Sequence, residues 1–215
     1  MGRGCPVAVL AGSSVPGFVT RPLRFAWHRR AASLAMTIAL GGCARATSAP
    51  DHGILTSTGP LQAAFNADSG KVRAIFLASP TCGYCLRGAA ELYRMWLARD
   101  SSPTIAVYVV WSSQLGATEA NVSGGASLVP DPRARHYWDA DKIVGAAFDS
   151  ILSLPVPAWD TWMLFAPTAA WRGRTPPAPA WWEHQLNVGP PERHLDPARF
   201  TAHAESLDHA LNPLR

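Results

Sequence analysis

Two hydrophobic rhythms alternate along this chain. Residues 72–78 are a nearly unbroken run of branched, aromatic and small apolar residues between Gly70 and Ser79-Pro80, the pattern of a strand. After it, Leu86, Ala89, Ala90, Tyr93, Trp96 and Leu97 recur at helical spacing, and the helix they predict ends near residues 100–103. Residues 104–111 again hold almost no polar side chain, as expected of a strand covered on both faces. Upstream, Gly59-Pro60 opens a short helix with Leu61, Ala64 and Phe65 on one side, closing by Gly70. Downstream, residues 112–132 are rich in Ser, Gly, Pro and Asn and read as an insertion loop, and residues 133–139 as a strand. Asp141 is expected to cap a helix that turns Ile143, Val144, Ala147, Phe148, Ile151 and Leu152 inward. Residues 159–165 predict a further strand, turned back at 166–169 into residues 170–172 as a hairpin. Proline density argues against regular structure over much of 173–191. Asp196-Pro197 then caps and opens a closing helix with Phe200, Leu207 and Leu211 on its buried stripe. This order predicts an α/β domain.

The first forty residues follow different rules. The chain's formal charge of +4 comes from five arginines (Arg3, Arg21, Arg24, Arg29, Arg30) in a segment free of Asp and Glu, and without them the remainder is about −1. A nearly neutral folded part gives no reason to expect a nucleic-acid partner. The basic segment leads into an apolar stretch at 31–40, too short to span a bilayer comfortably, and then Gly41-Gly42-Cys43. That is the plan of an export signal. Leu40-Gly41-Gly42-Cys43 resembles the bacterial lipobox, which implies lipidation of Cys43; ordinary signal cleavage and an uncleaved anchor are the competing readings. The expected division is a signal peptide at 1–42, a flexible tether at 43–58 and one folded domain at 59–215.

Removal of Cys5 and lipidation of Cys43 would leave Cys82 and Cys85 as the only free cysteines of four. They stand where the first strand run meets its helix. A helix N-terminus carries unpaired N–H groups and partial positive charge, so a thiol there gains thiolate character, and a spacing of two lets one turn bring both sulfurs within disulfide reach. A loop this short staples little, so in an oxidising compartment the pair suits chemistry better than stability.

A C-x-x-C at a strand–helix joint resembles the thioredoxin-like superfamily, and residues 60–212 follow its element order. The segment from His136 onward is similar to the membrane-tethered, thioredoxin/peroxiredoxin-like branch. The resemblance implies an α/β, thioredoxin-like fold: a central mixed sheet flanked by helices, with the insertion loop and a Pro/Trp-rich loop before the C-terminal helix. It implies an exported thiol-disulfide oxidoreductase on the extracytoplasmic side of the cell envelope, held by a lipid anchor and exchanging disulfides with partner proteins, with no cofactor. Cys82 would attack and Cys85 resolve, in a site shaped by Pro80, Thr81, Gly83, Tyr84, Trp159 and Asp160.

Three departures from the family pattern bear on that site. The family's cis-proline falls, by counting back from residues 162–165, at Asp160, while Pro157 lies three residues too early. A carboxylate facing the sulfurs should raise the thiol pKa against the helix-end effect. Thr81 and Tyr84 replace the usual tryptophan and proline around the cysteines, and Gly83-Tyr84 brings no positive charge that would favour a strongly oxidising poise. Phe76 stands where the family holds a buried acid, so the base for Cys85 would be Asp160 or a water.

A haem c site is excluded because Leu86 stands where histidine is required. The proline and threonine of a peroxidatic site are missing from their offsets. The rival reading is a non-catalytic copper- or zinc-binding, or partner-binding, lipoprotein with the cysteines as ligands; His136 and His184 are the available additional donors, although each reads more readily as a packed residue. Trp96, Trp111 and Trp162 fall on expected core faces, and Trp181 and Trp182 are expected to cap an open end of the sheet.

Overall fold

The computed structural model describes residues 51–211. The expected signal peptide, the Cys43 lipidation site and the first part of the tether lie outside them. The described residues form a six-stranded sheet built from β1 (His52–Ile54), β2 (Val72–Ala78), β3 (Ile105–Ser112), β4 (Ala134–Asp139), β5 (Thr161–Phe165) and β6 (Trp181–His184). The strand order is β1-β4-β3-β2-β5-β6. The first four strands run parallel, whereas β5 is antiparallel to β2 and β6 to β5. Helices α1 (Gly59–Ala67), α2 (Gly83–Leu92), α3 (Val122–Ala126), α4 (Ile143–Phe148) and α5 (Pro197–Leu211) complete the element list. This is the α/β class that the sequence led us to expect, a central mixed sheet flanked by helices.

All seven residues of β2 and all eight of β3 are buried, which is why both read as continuous apolar runs. Successive side chains point to opposite faces and sort into two cores. Phe76, Val109, Trp111 and Trp162 pack with Cys85, Leu92 and Trp96 of the α2 region and with Phe200 of α5. Ile75, Tyr108, Val110 and Met163 pack on the other face with Phe65 of α1, Phe148 of α4 and Trp171. The three tryptophans expected in the core are fully buried.

Arg73 is the one cation in that central run, is wholly buried, and makes no ion pair among the described residues. Its guanidinium donates to the carbonyls of Phe65, Ala166, Pro167 and Ala169 at 2.8–3.0 Å and lies 4.2 Å from the centre of the Phe65 ring. It thereby ties the end of α1 to the turn after β5.

Four expectations are corrected. The tether does not extend to residue 58, because β1 pairs with β4 from His52 to Ile54. The insertion at 112–132 is not a featureless loop: it carries two 3₁₀ turns and α3, where Gly125 lets the helix approach the Trp111 ring closer than a Cβ would allow. The carboxylate that serves the start of α4 is that of Asp139, not Asp141: it accepts from the N–H groups of Ile143 and Val144, both at 2.9 Å. Finally, residues 170–172 are not the partner of β5. Asn66 of α1 accepts from Trp171 N–H and donates to its carbonyl, 2.9 Å each, which consumes the groups a strand would need. The chain instead passes the prolines and returns at Trp181 as β6, so the two adjacent tryptophans lie on the sheet edge.

Candidate functional site

Antiparallel pairing decides what faces the motif. β2 delivers Cys82 beyond its carboxyl end, and β5, running the other way, begins at that same end with Leu77 opposite Thr161. The residue before Thr161 is Asp160, and it therefore arrives beside the cysteines. One donor atom from each of Cys82, Cys85 and Asp160 lies within 4.8 Å of the other two.

Cys82 is the N-cap of α2. Its backbone is extended, its N–H donates to the Ser79 carbonyl (3.1 Å), and its sulfur accepts from Cys85 N–H (3.2 Å). Both thiols are free. Cys85 is completely buried, one turn into the helix, and Cys82 is only 5% exposed. Cys82 nevertheless borders an open cavity of about 520 Å³, shared with Tyr84, Leu115, Trp159, Asp160 and His194. Pro80 is buried, Gly83 and Tyr84 are exposed, and the Arg87 guanidinium lies 4.8 Å from the Tyr84 ring centre.

The turn before the motif is held by hydroxyls. Ser79 donates to the Gln114 carbonyl (2.7 Å), and Thr81 donates to the carbonyls of Gln114 and Leu115 (3.4 and 3.3 Å). These bonds fasten the motif to the insertion, where Leu115 adopts a φ of +56° and is 63% exposed. Ser79 had no sequence signal beyond its place at the end of the strand. Leu115 had none, because nothing local marks a leucine for a left-handed conformation.

Burial governs the electrostatics. It pushes the Cys85 thiol far above its ordinary range, with the Asp160 charge and the hydrogen bond to Cys82 adding in the same direction. Burial also pushes the Asp160 carboxyl up to about 6, while the Cys85 thiol, as hydrogen-bond donor, draws it partly back. The described residues have no cis peptide bond. Asp160 instead takes a left-handed φ of +50° at this position and is 2% exposed. Phe76, where the resemblance implied an acid, is fully buried against Trp162, their ring centres 5.0 Å apart.

Neither additional histidine is available as a ligand. His136 accepts from Trp111 Nε1 at Nδ1 (3.2 Å) and meets the Val129 carbonyl at Nε2 (3.3 Å). His184 accepts from Leu186 N–H at Nδ1 and donates to the Pro190 carbonyl at Nε2. Desolvation lowers the pKa of both, which keeps them neutral. Cys82, Cys85 and Asp160 remain as a set of three donors that fits a soft or borderline cation with one coordination position open.

No protein-family model matches the chain, and no curated protein matches it. Among solved structures it is similar to a secreted disulfide oxidoreductase of Mycobacterium tuberculosis described as homologous to E. coli DsbE, at 13% identity over 66% of this chain and 85% of that one, with a TM-score of 0.45. A thioredoxin-family thiol:disulfide interchange protein from Chlorobium tepidum is 9% identical over 66% of this chain and 82% of its own, with a TM-score of 0.45. The thioredoxin domain of a thiol-disulfide oxidoreductase from Bacteroides vulgatus is 13% identical over 66% and 81%, with a TM-score of 0.40. Likeness this remote leaves the chemistry to be read from the chain's own residues.

Proposed function

We propose that the protein is a thiol-disulfide oxidoreductase that exchanges disulfides with partner proteins through Cys82 and Cys85. The observation that carries this reading is the stacking of the two sulfurs by depth. One lies at the floor of an open cavity and the other is sealed beneath it, beside a carboxylate. In the reducing direction the Cys82 thiolate attacks one sulfur of a partner disulfide. A mixed disulfide forms and the partner's other sulfur leaves as a thiolate, which takes up a proton. Asp160 accepts the Cys85 proton, the Cys85 thiolate attacks Cys82, and the partner leaves with both sulfurs reduced while the Cys82–Cys85 disulfide closes. Reversal oxidises a partner dithiol. The raised proton affinity of Asp160 suits it to this task, since a carboxylate of ordinary pKa would be a poor acceptor for a buried thiol. Turnover of the insulin disulfides with dithiothreitol tests the assignment: it is expected in the wild type and abolished in Cys82→Ser, and equal turnover in the two proteins sinks it.

The charge pattern of residues 1–42 and the lipobox-like Leu40-Gly41-Gly42-Cys43 support placing the domain outside the cytoplasm on a lipid anchor. Among the described residues no helix is long and apolar enough to cross a membrane. Incorporation of labelled palmitate in a bacterial host, lost in Cys43→Ser, is the expected result, and label retained in that variant contradicts it.

The convergence of Cys82, Cys85 and Asp160 favours one second reading, a metal-binding module. Stoichiometric zinc or copper retained through purification, together with no insulin turnover, would replace the first reading with this one.

A further inference from the structure

Gln185 lies where the motif, the carboxylate and the end of β6 meet. Its backbone N–H donates to the Asp160 carbonyl at 3.0 Å. In the amide orientation its surroundings require, the side-chain nitrogen donates to the Tyr84 carbonyl and to Asp160 Oδ1, 3.1 Å in each case. The opposite orientation would set the amide oxygen against two acceptors. Gln185 therefore grips Asp160 at both backbone and carboxylate, and grips the motif between its two cysteines.

Two further observations belong to the same arrangement. Gly88, on α2, makes the room: a Cβ there would stand 2.5 Å from the amide end of Gln185 and 2.7 Å from the Trp162 ring. Asp160 has a left-handed backbone, which a non-glycine residue keeps only where its neighbours over-determine it. The bond from Gln185 N–H to the Asp160 carbonyl is one of those determinants.

We propose that Gln185 is the positioning residue of this site: its amide ties the motif turn to Asp160 and, by donating to the ionised carboxylate, sets how readily Asp160 takes the Cys85 proton. The proposal rests on the dithiol-exchange reading above. A hydrogen bond to the charged form favours that form, so Gln185 opposes the burial that makes Asp160 basic. Being neutral, the amide does this without placing a second charge next to the thiols. The titratable side chains lining the same cavity are Cys82, Tyr84 and His194, with Cys85 beneath them. Of these, the Cys85 thiol is the one that shifts the carboxyl.

The test is a carbon-13 carboxyl NMR titration of the reduced full chain, with Asp160→Asn assigning the signal. Gln185→Met keeps the length of the side chain and removes the donor; Asp160 should then bind its proton on the order of tenfold more tightly. Gln185→Glu should raise its midpoint further, because a negative charge replaces the donor. The pH profile of Cys82–Cys85 disulfide closure should move with the midpoint in both variants. An Asp160 midpoint unchanged in Gln185→Met overturns the proposal. Near-UV circular dichroism checks folding, and Gln185→Asn, which withdraws the amide by one methylene, supplies the same readout if methionine is not accommodated. The titration does not depend on turnover. A shifted midpoint in a protein that exchanges no disulfide would refute the dithiol reading and leave the coupling standing.

Discussion

Asp160 is a buried carboxyl with a left-handed backbone, an arrangement that opposes stability and persists only where the surrounding structure holds it. Its carboxyl is raised from an ordinary 3.8 to about 6, so the folded state binds the proton more tightly than the unfolded state does. The sign follows: its contribution to stability is fully present below pH 4, falls as the pH rises through 4 to 6, and above pH 6 remains a constant cost of at most about 3 kcal/mol. Asp160→Asn should therefore stabilise the reduced protein at pH 8 by about 1–3 kcal/mol in urea unfolding. At pH 5 the gain should be distinctly smaller, and a gain independent of pH would contradict the assignment. Counting back from the strand already brought Asp160 to the motif in the sequence. Its partner Gln185 was not legible, since a polar residue in a proline-dense stretch gives no sign that a strand ends beside it. Cys82 shows the reverse difficulty, because the motif announces the thiol but not its near-complete burial beside a cavity lined by Tyr84, Leu115 and Trp159.

At the scale of elements, the continuous apolar runs of β2 and β3 were legible because burial on both faces leaves no alternation to misread. The hairpin was misplaced because local apolar content at 170–172 cannot reveal that Asn66, about a hundred residues earlier, already holds the backbone of Trp171. Asp141 is the cap that spacing suggests, yet the strand's last residue, Asp139, supplies the carboxylate, with Lys142 at a left-handed φ of +59° at the helix start. Arg73, the one cation of β2, is the staple joining α1, β2 and the turn after β5. Arg73→Met would leave the carbonyls of Phe65, Ala166, Pro167 and Ala169 without this donor. It should lower the unfolding free energy by more than about 3 kcal/mol while leaving the geometry of the cysteines intact. Chemical denaturation checks this, and a loss below about 1 kcal/mol would show that water or relaxation replaces the guanidinium.

Across the whole molecule the antiparallel return of β5 is what turns a fold into a site. A parallel strand there would end, rather than begin, beside the motif and would carry its first residues to the opposite end of the sheet. The insertion and the segment after β6 approach the same end, contributing Leu115 and Gln185 with His194 to one cavity. The described residues thus gather a nucleophile candidate, a buried second thiol and a carboxyl proposed as proton acceptor at one end of the sheet, beside an open cavity. Trapping the covalent intermediate tests this account most directly. Reduced Cys85→Ser, mixed with an oxidised disulfide peptide and read by peptide-mapping mass spectrometry, should hold the peptide stably on Cys82, while the wild type should release it and end as the Cys82–Cys85 disulfide. A Cys82→Ser protein that forms the adduct on Cys85 at the same rate, or a Cys85→Ser protein that forms none, would contradict it.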